Sequence, residues 1–490
     1  MKLIKFLGIA FFILSISITG CKKLLNEKVY SELAADNFLT TRGGLEKLLF
    51  SSYAQTADMD AFHEYSRDAV QEMTTDILWQ QRGGEATNAI QLYQFTWDAG
   101  LTVNYLVNQF DTPYKGIRDA NTVLENAGNG ALNDADKKLF AAEAHFLRAV
   151  NYYALWDFFG GIPLRTSSAD ALQMPREDEA TILKFIEDEL IASIPDLPAS
   201  GSELSYGRAH KGAAMSLLCR LYLNTKQWQK CADMAKMVMD LNYFSLFPTY
   251  AKLMAVENKR NKEMIWVRPG NAQSVNTGNN FIAASTPAAF KSDPKSGIVW
   301  QANWANFASD YLMYDAFYNT FESNDKRTQV ILTSFINTSN VTVPLLGKNS
   351  SMIWKYVPDP NANGQEHGND VSVMRYADIL LSRAEALNEI SGPTSEAISL
   401  INMVRTRAGI PDLLVTNFPT KESLRSAILL ERGHEFFYEE LRRRDLIRHG
   451  KFIEFARNRG VTNAQDFRQL FPIPISAINS NPLLKQNPGY

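Results

Sequence analysis

The chain is poor in the side chains that concentrate chemistry. Its 490 residues contain three cysteines and six histidines, and the histidines are scattered, so no metal cluster and no other cofactor is expected. His434-Glu435-Phe436-Phe437-Tyr438 lacks the second histidine that would set two imidazoles on one helical face, which excludes a zinc-protease helix. There is no glycine-rich phosphate loop and no Gly-x-Ser-x-Gly elbow. The acidic pairs Asp178-Glu179 and Glu439-Glu440 could serve glycoside hydrolysis only at a separation of roughly 5–9.5 Å, which a sequence does not give; on exposed helices such pairs are usually solvated. Glu431, Arg432, Glu435, Arg442 and Asp445 read better as ion pairs tying the last helices together than as a reaction centre. The expectation is a protein that is not an enzyme.

Dense positive charge is equally scarce. The formal net charge is −3, and the only basic run, Arg442-Arg443-Arg444-Asp445-Leu446-Ile447-Arg448-His449, is interleaved like a helix with one packed face. This argues against nucleic acid as a partner and against electrostatic membrane anchoring.

What is present begins with a leader. Lys2 and Lys5 precede an apolar stretch from Phe6 to Ile18, and Ile18-Thr19-Gly20-Cys21 places small residues before a cysteine. Thirteen residues fall short of the roughly 20 a spanning helix needs, so residues 1–20 read as a cleaved lipoprotein signal. Cys21 would carry acyl chains such as palmitate, and several chains hold far more firmly than one. Loss of Lys2 and Lys5 takes the formal charge from −3 to −5. The two remaining cysteines, Cys219 and Cys231, read as buried thiols on adjacent helices, although an exported compartment permits a disulfide.

Beyond a tether at 21–35, helical periodicity dominates 36–241 and 371–490, separated by a loop-rich insertion at 242–370. Asn133 and Asp136 suit the start of a helix running through Leu139, Phe146, Val150 and Tyr153 to a stop at Gly160-Gly161. Two further helices meet near Lys226-Gln227-Trp228, and the stretch from Tyr222 to Ala232 resembles half of a tetratricopeptide unit, in which paired helices stack because neither buries its apolar face alone. Val373, Tyr376, Leu380, Ala384 and Leu387 form a stripe at helical spacing, and a helix from Ala397 should end at Gly409. The insertion is rich in Asn, Ser, Gly, Pro and aromatics, with strand-like alternation only at Met264–Val267 and Met352–Tyr356; long loops of this kind are commonly functional. Pro472, Pro474, Pro482 and Pro488 should keep the last stretch, from Leu470, mostly extended. The expected fold is therefore mainly α, with tetratricopeptide-like helical pairs and an irregular insertion carrying short strands.

Seven segments in order resemble the SusD/RagB family of outer-membrane nutrient-binding lipoproteins: Tyr114–Asn121; Ala142–Ala149 into Phe159–Leu164; Gly207–Tyr222; Arg375–Leu381 into Ala384–Glu389; Ile401–Gly409; Glu431-Arg432 to Asp445-Leu446; and Phe471–Pro474 to Gln486–Tyr490. The resemblance implies a helical lid over a SusC-like TonB-dependent transporter, lipid-anchored at the extracellular face of the outer membrane, with glycan the commonest cargo and peptide an alternative. Two departures stand out. The family usually has Glu-Gly where this chain has Glu439-Glu440, and Lys22–Glu27 lacks the acidic cluster often associated with surface export. A lipid-tethered scaffold that binds only protein, and a polysaccharide-cleaving enzyme, remain as other readings.

Aromatics are the best lead to a ligand, because sugars lay flat C–H faces on rings while their hydroxyls need polar groups at the rim. Two stretches offer that mixture. The first is Asp76–Gly84, with Trp79 and Arg82, followed by Trp97 and Asn104. The second is Trp300-Gln301-Ala302-Asn303-Trp304, followed by Asp310, Tyr311 and Tyr314. Trp300 and Trp304, four apart, would face one way on a helix. Aromatics at helical spacing are more often core, a reading that Trp97, Tyr311 and Tyr314 each invite.

Overall fold

The computed structural model describes residues 38–59, 67–80, 86–99, 103–128, 132–273, 277–306 and 311–490. Cys21 and the tether lie outside the described residues.

Helices build the body by packing each on its successor. α1 (Arg42–Met59) lies against α2 (Val103–Asn126), α2 against α3 (Asp134–Phe159), α3 against α4 (Glu179–Ser193), α4 against α5 (Lys211–Asn224) and α5 against α6 (Trp228–Asp240). The centre of this series is α3. Asn133 caps it by accepting the Asp136 N–H at 2.8 Å, and Asp134 and Asp136 add favourable charge to its first turn. Seventeen of its 26 residues are buried, as a helix covered on several sides requires. Where α5 meets α6, Cys219 and Cys231 are buried free thiols with their sulfurs 3.8 Å apart; contact with Cys219 and burial hold the Cys231 thiol well above its ordinary pKa.

The stack then leaves the helical body and returns to it. α6 packs directly on α7 (Tyr376–Ser391), which in turn contacts α8 (Ser395–Ala408) and α9 (Lys421–Phe436). Thr394 caps α8, and Gly409, at φ +76°, closes it in the left-handed conformation that glycine adopts without strain. The periodic stripe overran one boundary: Val373 lies in a strand, Val371–Arg375, and the helix starts only at Tyr376. The C-terminal stretch is not extended throughout, since Ile475–Ser480 form a helical turn directly after Pro474, whose fixed φ suits a helix start.

The insertion holds more strand than its sequence pattern suggests. Met264–Arg268 pairs antiparallel with Val371–Arg375 and closes its neck. One four-stranded sheet runs in the order Leu78–Trp79, Leu312–Met313, Ser351–Ile353, Ile331–Leu332; another runs Ile298–Val299, Phe290–Asp293, Ser334–Asn337, Thr342–Pro344. Strands of two to four residues are too short for alternation to register. A small apolar core containing Phe290, Leu312, Phe335, Met352 and Trp354 lies among these two sheets.

Charge, rather than apolar packing alone, ties the insertion to α9. Arg327, Lys355 and Arg375 interlock with Glu263, Glu431, Glu435 and Glu439, all nearly inaccessible. A second knot gathers Arg67, Arg443 and Arg444 around Asp157. Burial alone would raise Asp157, yet the three guanidiniums outweigh it and hold the carboxyl at about 2. The basic run is thus one helix, α10 (Arg442–Arg448), whose arginines mostly point inward to acids. Just before it, Glu440 stands at φ +62°, where the resembled family usually has glycine. Its N–H donates to Glu72 at 2.9 Å and its carboxylate meets Arg67 at 2.9 Å, so side-chain contacts hold a backbone geometry that an L-residue disfavours.

Candidate functional site

A two-residue strand positions the best-placed aromatic. Leu78 and Trp79 pair with Met313 and Leu312, and the Tyr314 N–H donates to Ile77 at 3.0 Å, so Trp79 comes from the helical body while its strand partners come from the insertion. Its indole stacks on Tyr314 with centroids 6.2 Å apart and planes 19° apart, and meets Tyr93 edge-on at 6.0 Å. The indole N–H donates to the Asn349 carbonyl at 2.7 Å, which fixes the ring. All three rings are half-buried, so they are anchored yet retain exposed surface, the combination that stacking on a ligand needs.

A groove of about 560 Å³ opens beside this tier. Tyr314, Phe317, Leu429 and Phe455 supply apolar wall, while Asp76, Asn349, Arg442 and Arg459 supply polar groups. Asp76 takes the Arg442 guanidinium at 2.8 and 2.7 Å. Burial would raise the Asp76 carboxyl, but Arg442 outweighs it and keeps it ionised below the usual range. Asn349 is clamped by two 2.9 Å bonds with Asp315. An apolar wall with a few fixed polar groups is the usual make-up of a small-molecule site.

The structure distributes the sequence candidates unequally. Trp79 lies in the aromatic tier beside the groove. Trp300 and Trp304 touch edge to face at 5.3 Å, but in a turn rather than on a helix, and Trp304 is only 8 % exposed, with its ring near His367. Trp300 is half-buried and borders the same small apolar core as Trp79, which brings the two sequence stretches to one module. Trp97 is fully buried and donates its indole N–H to the Tyr490 hydroxyl at 2.7 Å. Tyr311, 1 % exposed, packs against Phe281 and Tyr438. Neither ring has a face left for a ligand. Asn104 lies in the first turn of α2, while its side chain, Arg82 and Asp310 lie outside the described residues. Sequence reasoning assigned Tyr314 to the core and did not single out Tyr93, Asn349 or Arg459; only the fold brings these distant positions together.

The acidic pairs have structural partners. Asp178 caps α4 by accepting the Thr181 N–H at 2.7 Å, and Glu179 accepts the Trp156 indole N–H at 2.7 Å. His434 stacks on Phe321 with centroids 4.1 Å apart; burial and three nearby arginines push its pKa well down. Among the described residues, no group of three or more His, Cys, Asp or Glu is arranged to hold a metal, and no helix is long and apolar enough to cross a membrane.

Two family models match the chain. One, described as "SusD family", covers residues 262–490, and the other, described as "Starch-binding associating with outer membrane", covers residues 23–223. A SusD-like protein of Formosa agariphila is 24% identical over 98% of this chain and 99% of its own length. The starch-binding protein SusD of Bacteroides thetaiotaomicron is 24% identical over 73% of this chain and 74% of its own. Among solved structures, a laminarin-binding SusD-like protein superposes with a TM-score of 0.78 at 22% identity, covering 92% of this chain and all of that one.

Proposed function

We propose, from the premise that the chain belongs to the SusD/RagB family, that it captures a glycan at the outer membrane and hands it to a SusC-like TonB-dependent transporter without chemically altering it. The observation that carries this reading is the fixed, half-buried tier of Trp79 and Tyr314 beside a groove of about 560 Å³. Sugar rings stack on such faces, and the polar rim reads their hydroxyls. Trp300, on the same module, extends the platform in this reading. Starch and laminarin, named for two of the relatives, favour a polysaccharide over a peptide as cargo. Anchoring through acylated Cys21 would keep the lid at the membrane surface.

Calorimetry of the purified full chain against a panel of oligosaccharides, with product analysis of the same mixtures, tests the reading. Binding with intact sugars is expected. Release of shorter products would make the protein an enzyme. Silence toward every sugar, together with stable capture of another protein, would make it a scaffold. Crosslinking in membranes should recover a β-barrel transporter, because a stable lid needs an interface above about 1,200 Å².

A further inference from the structure

Cations outnumber acids around the groove. Among the described residues, Arg442, Lys451 and Arg459 line it against a single carboxylate, Asp76. Arg442 spends its charge locally: it takes both Asp76 oxygens and donates to the Leu429 carbonyl at 2.7 Å. Lys451 pairs at the exposed rim with Glu454, where solvent screens the pair. Arg459 is satisfied only in part: its guanidinium donates to the Tyr314 hydroxyl and shares the Asp76 carboxylate with Arg442. Its guanidinium lies 5.5 Å from the Tyr314 ring centroid, and its Nε and Nη2 are shielded from solvent without a hydrogen-bond partner. Burial correspondingly weakens its hold on its proton, with Tyr314 and Asp76 opposing that trend. One carboxylate shared by two arginines leaves part of this half-buried charge unbalanced, and an anion arriving nearby relieves the cost.

We propose that the groove selects an anionic glycan, one bearing carboxylate or sulfate ester groups, through Arg459 on its aromatic wall, whose Nε and Nη2 lack hydrogen-bond partners and whose one carboxylate, Asp76, is shared with Arg442. This rests on the glycan-capture reading above and adds the charge class of the ligand. Tyr314 would then have two roles, stacking on a sugar face and holding the guanidinium by its ring and hydroxyl. The low-dielectric wall would make the attraction stronger than a surface lysine could provide.

The test uses the full chain in detergent on an array of matched oligosaccharides: oligogalacturonate and its methyl ester, and sulfated and unsulfated dextran. At least one charged member should bind about tenfold or more tighter than its neutral twin, the range expected of one charge-assisted contact. The uronate and sulfate arms identify which anion is preferred. Raising salt should weaken only the charged ligand. Arg459→Gln should bring the ratio toward one with little change in melting temperature, since glutamine keeps an N–H donor for Tyr314 while Asp76 keeps its bidentate Arg442 pair, and Arg459→Lys should keep part of the preference. Equal binding of charged and neutral twins overturns this inference and leaves glycan capture standing, as does a preference that survives Arg459→Gln. Absence of binding by every sugar overturns both.

Discussion

Arg375 holds Glu435 at two points: its guanidinium donates to the carboxylate and, at 2.7 Å, to the backbone carbonyl of the same residue. The same side chain reaches Glu263 at 2.7 Å and Glu439 at 2.6 Å. One arginine at the start of α7 therefore fixes the last turn of α9, the residues after it and the neck of the insertion together. Arg375→Met should strand these carboxylates in the interior and cost about 3–5 kcal/mol, as removal of one partner of a buried pair does. Urea unfolding measures this; a loss below about 1 kcal/mol would show that the network relaxes around the gap.

Trp79 and Trp97 should separate binding from folding. Trp79→Ala should weaken glycan affinity by about thirtyfold, the equivalent of about 2 kcal/mol for a truncated aromatic anchor, with little change in melting temperature. Trp97→Ala should destabilise by about 3–5 kcal/mol while folded molecules bind normally. Calorimetry paired with thermal melts reads both, and reversal of the pattern would move the site to the opposite side of the module.

Glu440 offers a clean test of backbone strain. Glu440→Ala and Glu440→Gly both lose the Arg67 pair, but only alanine keeps an L-residue at φ +62°. The glycine variant should be the more stable by roughly 1 kcal/mol. Equal denaturation midpoints would mean that the left-handed geometry carries no penalty here.

Mild acid should weaken the insertion before it reaches the carboxylate knots. His367 is buried and accepts the Asp359 N–H at 3.0 Å. Burial pushes its pKa down to about 4, against a partial opposing pull from Asp359. Unfolded histidine titrates near 6.5, so between about pH 6.5 and 4 the unfolded chain binds the extra proton and stability falls as pH falls. The effect is bounded at about 3 kcal/mol. Asp157 and Asp378, both held at about 2, keep their contribution until the pH drops below the ordinary carboxylate range. Calorimetric melts from pH 7 to 4 should show the decline, and His367→Asn should lessen it, leaving the part that buried His434 contributes; a parent protein equally stable across that window would locate the imidazole in solvent.

The helical body was legible because helices announce themselves locally. Asn133, Lys226 and Gly409 mark boundaries through capping and turn chemistry that a few residues encode. The site was only half legible. Trp79 drew notice by its polar neighbours, but Tyr314 carries the same local signal as a core ring, and its role depends on a strand of two residues that pairs it with a segment far away in the chain. Arg459 has no motif at all. What distinguishes it is a guanidinium whose Nε and Nη2 are shielded without a hydrogen bond, and only three-dimensional structure reveals that. For Trp300 and Trp304 the spacing alone left their relative facing open, because a four-residue interval has one meaning on a helix and another in a turn.

The antiparallel clasp of Met264–Arg268 with Val371–Arg375 has a further consequence. Everything from residue 269 to 370 is topologically a loop tied at its base, and doubling the length of a loop adds only about 0.6 kcal/mol of closure entropy. A lineage could therefore exchange this module for a longer or shorter one and retune its diet, provided that the interior salt contacts with α9 and the short pairing with Trp79 were preserved. On the proposed reading, diversification of cargo would proceed by grafting, with the helical body inherited unchanged.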